Sequence, residues 1–257
     1  MLKTPHEIDC MREAGKVQAK ALQLCRELAV PGITTKEIDL AVEALYTKHN
    51  VTPVCKDYPS HRPGIKPFPA CMCISVNDEV VHGIPSQRKL CEGDLVKFDT
   101  TCKLNNWCAD AAITIPIGKV SEAKAKLLRI TKEALDLAIS EMVIGKKWSE
   151  IAVKIGRYAY SNNFSVVQEY AGHGIGQNMH EEPVAPNQVS TKKKPWQNFT
   201  LQEGLVLAIE PIFNMGSAKI RTLSDGWTAV TEDGLASAHF EHTLAIGKDG
   251  AMVITQL

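Results

Sequence analysis

Four acidic residues stand where strands should be apolar. Asp99 ends the run Leu95-Val96-Lys97-Phe98, and Glu210 ends Leu205-Val206-Leu207-Ala208-Ile209. Glu241 sits inside AHFEHTLAI, and Asp110 lies between Ala109 and Ala111-Ala112, just before ITIPI. A carboxylate buried in such a setting is costly unless something compensates it. Any one of them alone reads as a strand-end acid in water or paired with Arg or Lys. All four together outnumber the basic residues near them in sequence, Lys97, Lys103 and Arg221. A cation is the economical partner. The histidines point the same way. EYAGHGIGQNMHEEP holds His173 between two glycines, with His180 seven residues on, and His82 in NDEVVHGIP is also followed by glycine. Glycine lets the backbone bend and lets a bulky group approach, although each imidazole alone is equally a solvent-exposed turn residue. Four carboxylates with one or two imidazoles form an oxygen-rich set. That set disfavours a cysteine-built structural zinc site and suits Mn, Co, Fe or Zn. Four carboxylates exceed the need of one catalytic ion; if two of them bridge, a pair of ions about 3.5–4 Å apart results.

The elements that must position these residues are written twice. LCEGDLVKFD (90–99) returns 111 residues later as LQEGLVLAIE (201–210), with Asp99 falling on Glu210. VPGITTKEIDLAVEALYTKHN (30–50) parallels VIGKKWSEIAVKIGRYAYSNN (143–163) at the similar offset of 113. The spacing is that of one duplicated half, not of a short repeat array. Each half opens with helices. Ile8, Met11, Ala14, Val17, Ala21, Leu24 and Leu28 keep helical spacing up to Pro31-Gly32. Thr34 with Glu37 predicts a capping box opening a second helix to about Asn50. Ser121–Val143 and Trp148–Asn163 repeat the pair. Strands are expected at ACMCISV, DLVKFDT and AAITIPI, then at SVVQEY, GLVLAIE and HFEHTLAI. The pattern predicts an α+β fold with a mostly antiparallel sheet and helices on one face. The segment VSTKKKPWQN (189–198) matches neither half and reads as a solvated loop.

Composition sets the class. With 257 residues, 44% hydrophobic and 23% charged, the chain can bury a sizeable core. Its formal net charge of zero excludes the basic excess usual in nucleic-acid binders. The eight cysteines form no CxxC pair and favour a reducing cytosol over a disulfide scaffold. The N-terminus lacks the apolar run of a signal peptide, and no stretch is long enough to span a bilayer. A soluble intracellular protein is expected.

NDEVVHGIP, FDTTCKLNNWCADAA, EYAGHGIGQNMHEEP, LAIEP and FEHT, in this order, resemble the signature segments of the type I methionine aminopeptidases of peptidase family M24. The similarity runs from KTPHEIDCMREAGK to the C-terminus. Only 29 residues separate His180 from Glu210, which leaves no room for the helical insertion of type II enzymes. The chain also lacks the cysteine-rich N-terminal extension of eukaryotic cytosolic forms, so it resembles the short bacterial form. The resemblance implies the pita-bread fold, one catalytic domain built of pseudo-symmetric halves, roughly 1–118 and 119–257. It implies two divalent ions held by Asp99, Asp110, His173, Glu210 and Glu241, with Asp110 and Glu241 bridging, Asp99 on one ion, and His173 with Glu210 on the other. Glu210 would also shuttle protons, His180 would stand at the scissile carbonyl, and His82 near the amide nitrogen or the bound N-terminus. Cys73, Phe68, Ile65, Met179 and Trp227 would line the methionine pocket, as soft and aromatic groups suit a thioether. Trp227 reads equally well as a core or turn residue.

The implied activity is removal of the N-terminal methionine of nascent polypeptides with a small second residue. It would be carried out by a monomer in the cytoplasm, near the ribosome, with no nucleic-acid or membrane partner. Three positions depart from the family pattern: Ala111 where Thr often follows the second Asp, Met179 where an aromatic often precedes the second His, and Ile65 at one of two usual aromatic positions. The alternatives are a proline-directed peptidase of the same fold, which usually carries an extra N-terminal domain, and a metal-free binding protein, which predicts a missing ligand.

Overall fold

A computed structural model describes residues 2–60, 62–189 and 198–256. The lysines of the expected 189–198 loop lie outside the described residues. Four helices form where the apolar spacing places them, each ending within about two residues of expectation: α1 (Pro5–Leu28), α2 (Thr35–Lys48), α3 (Glu122–Glu141) and α4 (Trp148–Ser161). The Thr34–Glu37 capping box forms, and Thr4 with Glu7 makes the same box ahead of α1. The segments paired in sequence share backbone conformation. Gly32 and Gly145 have φ of 95° and 86°, Gly93 and Gly204 of 90° and 84°, and Asn50 and Asn163 of 54° and 67°.

The main sheet is antiparallel and nine-stranded. Its central path runs Thr52–Pro53, Leu95–Leu104, Trp107–Pro116, Glu241–Gly247, Val206–Ile209, Gly172–Gly174, Glu181–Ala185. Cys73–Val76 pairs with Leu95–Leu104, and Gly250–Val253 with Glu241–Gly247. Two strands are longer than expected. Asn105 and Asn106, both at positive φ (49° and 69°), close a two-residue hairpin turn, so pairing continues to Leu104 and resumes at Trp107. Asp110 is therefore a mid-strand residue and does not precede a strand. SVVQEY, by contrast, is paired only at Ser165–Val166. HFEHTLAI splits between Ser237–His239, in a small three-stranded sheet, and Glu241–Gly247.

Strand alternation separates two faces. Ala109, Ala111, Ile113, Ile115, Leu207, Ile209, Leu244 and Ile246 join the main core, together with the buried faces of all four helices. Asp110, Ala112, Ala208 and Thr243, of opposite parity, belong to the other face. No helix among the described residues is long and apolar enough to cross a membrane.

Candidate metal centre

The acids are brought together by register. Cys73, Asp99, Ala112 and Glu241 are consecutive cross-strand partners, and Asp110 pairs with Thr101 one step along the same face. His173 pairs with Ala208, which pairs with Thr243. Small residues at Ala112 and Ala208 keep this face open between the larger donors. The glycines flanking His173 are required by contact: a Cβ at Gly172 would lie 2.5 Å from the Ala208 carbonyl oxygen, and one at Gly174 2.3 Å from that of Glu182. His173 Nδ1 lies 2.9 Å from the Gly174 carbonyl oxygen. A proton on Nδ1 donates there, which leaves Nε2 as a basic lone pair facing the acids.

Asp99, Asp110, His173, Glu210 and Glu241 all line one cavity of about 290 Å³. Burial is the first cause that raises all four carboxyls above the ordinary range, and the negative charge of Asp110 adds to the rise at Asp99, Glu210 and Glu241. Thr101 partly offsets the rise at Asp110. His173 Nε2 stands 3.9 Å from Asp110 Oδ2, but burial pushes His173 down to about 4, so the pair is a neutral imidazole beside a carboxyl and not an ion pair. Asp110 Oδ1 is buried with no hydrogen-bond partner among the described residues. Donor atoms of Asp110, His173 and Glu241 lie within 4.8 Å of one another. Mutually repelling buried carboxyls, an unsatisfied oxygen and a neutral imidazole fit a divalent cation.

The other expected residues take graded positions. His82, at φ 58°, lines the cavity between Tyr170 and Trp227, with ring centroids 5.0 and 6.5 Å away. His180 is exposed at the rim. Its Nδ1 is 2.9 Å from the Tyr58 hydroxyl, and its ring lies 4.4 Å from that of His173. Cys73, Phe68, Met179 and Trp227 line the same cavity; Phe68 and Trp227 meet edge-to-face at 5.3 Å, and the Thr101 hydroxyl donates to the Met179 sulfur at 3.0 Å. Ile65 does not line it. The turn that joins Ile65 N–H to the Arg62 carbonyl lays its side chain over Gly226, beside Trp227.

Several lining residues went unread in the sequence, among them Tyr58, Cys55, Tyr170 and His239. Tyr58, Cys55 and Tyr170 lie in loops or turns with no periodicity to mark them. His239 had a signal, since two residues before Glu241 is the same side of an extended chain. Its Nε2 is 3.7 Å from Glu210 Oε2 and 3.8 Å from Glu241 Oε2, and neither ring nitrogen has a hydrogen-bond partner among the described residues.

Comparison with known proteins agrees with this geometry. Metallopeptidase family M24 matches residues 9–248. The chain is 44% identical over 255 residues to a methionine aminopeptidase of Clostridium perfringens, covering 99% of this chain and 98% of that protein. It is 42% identical over 255 residues to methionine aminopeptidase 1 of Bacillus subtilis, with the same coverage. The crystal structure of methionine aminopeptidase from Thermotoga maritima superposes with a TM-score of 0.92 at 36% identity, covering 100% of this chain and 99% of that one. The fold is accordingly the pita-bread fold, α+β with a largely antiparallel curled sheet. The chain belongs to metallopeptidase family M24.

Proposed function

We propose that this chain is a methionine aminopeptidase that removes the N-terminal methionine from polypeptides whose second residue is small. The observation that carries the reading is the convergence of Asp99, Asp110, His173, Glu210 and Glu241 on one cavity that soft and aromatic side chains also line. These five residues would hold two divalent ions drawn from Mn, Co, Fe or Zn. Such ions, when bound, supply Lewis acidity that makes a water nucleophilic near neutral pH.

The chain's own residues do the rest. Phe68, Cys73, Met179 and Trp227 take up the methionine side chain. Glu210, whose burial already raises its proton affinity, accepts a proton from the attacking water and passes it to the leaving amine. Tyr58 fixes the His180 ring through Nδ1, and the opposite nitrogen donates to the scissile carbonyl oxygen as charge develops there. His82, a neutral base at the cavity wall, accepts from the amide or the substrate N-terminus. The whole chain is one catalytic domain of two related halves, working as a monomer on nascent chains near the ribosome. Eight free cysteines suit a cytoplasmic setting.

Hydrolysis of Met-Ala-Ser with added metal, run beside an X-Pro peptide, tests the reading. The wild-type protein is expected to release methionine, and Glu210→Gln to lose that activity while still folding. Preferential cleavage of the X-Pro peptide assigns the proline-directed alternative instead, and absence of bound metal and turnover assigns the binding-protein alternative.

A further inference from the structure

A second cross-strand row lies directly behind the acids. Ser75, Lys97 and Thr114 are consecutive partners, one alternation step from Cys73, Asp99 and Ala112 and on the same face. All three are buried, at 1%, 1% and 4% exposure. Lys97 is one of the few basic residues near the acids in sequence. The structure turns its ammonium away from them: Nζ donates to the backbone carbonyls of Asn77 at 2.7 Å and Ser237 at 3.0 Å. Ser237 N–H also donates to the Asn77 carbonyl at 3.0 Å. The Asn77 turn joins the strand that carries Cys73 to the strand that leads into His82, and Ser237 opens the segment that leads to His239 and Glu241.

The two neighbours of Lys97 grip the same segments further along. The Ser75 hydroxyl accepts from Gly83 N–H, next to His82, at 3.0 Å. The Thr114 hydroxyl donates to the His239 carbonyl at 2.6 Å and accepts from His239 N–H at 2.9 Å. Ser237–His239 belongs to a different sheet from Asp99 and Asp110, so the placement of His239 beside Glu210 and Glu241 rests on contacts between sheets. A charge-assisted bond from a buried ammonium to two carbonyls is among the stronger such contacts.

We propose that Ser75, Lys97 and Thr114 form the positioning layer of the metal centre, with the Lys97 ammonium a tethered cation that locks the Cys73–His82 hairpin to the segment that sets His239 against Glu210 and Glu241. This rests on the reading of the five donors as metal ligands. Partners behind ligands commonly carry 10–100-fold of metal affinity, roughly, because small displacements misplace the donor atoms.

The test is calorimetric titration of Mn²⁺ into metal-free wild type, Lys97→Met, Thr114→Val and Thr114→Ser, with thermal melts of each. Lys97→Met and Thr114→Val are expected to bind Mn²⁺ about 10–100-fold more weakly and Thr114→Ser to recover wild-type affinity. If wild type binds Mn²⁺ and the first two variants bind it equally well, the positioning role is overturned and the row merely stabilises the fold. If wild type binds no divalent ion, the metal-centre reading fails first. Should Lys97→Met not fold, Thr114→Val and Ser75→Ala decide by the same criterion.

Discussion

Asp110 and Thr243 exchange two hydrogen bonds: Asp110 N–H donates to the Thr243 hydroxyl at 2.9 Å, and that hydroxyl donates to the Asp110 carbonyl at 2.8 Å. A side chain thereby takes over from the backbone ladder where Trp107–Pro116 and Glu241–Gly247 part, beyond the pairs Glu241–Ala112 and His242–Ala111. Ala111 points into the main core on the opposite face, so the hydroxyl that braces Asp110 comes from Thr243 and not from position 111. Thr243→Val keeps the shape and strands a buried N–H and C=O, at a cost of about 1–3 kcal/mol for each group left unsatisfied. We expect a lower midpoint in chemical denaturation and weaker Mn²⁺ binding by calorimetry, with Thr243→Ser restoring both. A Thr243→Val protein equal to wild type in both measurements excludes the brace.

His180 and Tyr58 give a kinetic prediction. His180 is exposed, so His180→Ala should leave the melting temperature nearly unchanged. Losing one donor to a developing oxyanion typically lowers kcat by about 10²–10³, and we expect that loss with little change in KM for Met-Ala-Ser. Tyr58→Phe removes only the partner that orients the ring at 2.9 Å, and should lower kcat less. Near-normal turnover in His180→Ala would take this residue out of the mechanism.

The helices and the convergence of the acids were legible because they depend on local spacing: Thr34 and Glu37 form their box, and Asp99 and Glu210, which the repeat aligns, line the same cavity. The hairpin at Asn105-Asn106 was missed because its signal is two left-handed residues in succession, without a glycine to mark them. Ile65 was misplaced because a loop of prolines and glycine carries no period from which a side-chain direction can be read. The role of Lys97 was illegible for a different reason. Acids stand near it in sequence at Asp94 and Asp99, but its ammonium meets carbonyls from two other segments that only the fold brings together.

His239 leads to a prediction about metal affinity. Burial pushes its imidazole down to about 3, so it stands neutral beside Glu210 and Glu241 with both nitrogens unpartnered among the described residues. A neutral imidazole held there by Thr114 is suited to brace those carboxylates or to add a donor when an ion is bound. His239→Ala should weaken Mn²⁺ binding by about 10–100-fold, and His239→Gln, which keeps a side-chain donor, should weaken it less. Unchanged affinity in the alanine variant would make His239 a bystander.

Removing the metal should expose the strain among the acids as a pH dependence. Burial raises Asp110 to about 7 and, with the charge of Asp110, Glu210 to about 8, against unfolded values near about 4. In the metal-free protein these carboxyls stay protonated after the unfolded chain has released its protons. Their contribution is therefore fully present below the unfolded pKa and is lost as pH rises through about 7 to 8. A divalent ion needs the ionised carboxylates, so its stabilisation grows over the same interval. Scanning calorimetry with EDTA should show the melting temperature falling from about pH 5 to pH 8, while the increment given by saturating Mn²⁺ rises. A metal-free melting temperature that climbs across that interval, or a metal increment that is flat, would mean that the four carboxyls are already ionised and solvated and do not form the charged cage that a cation must fill.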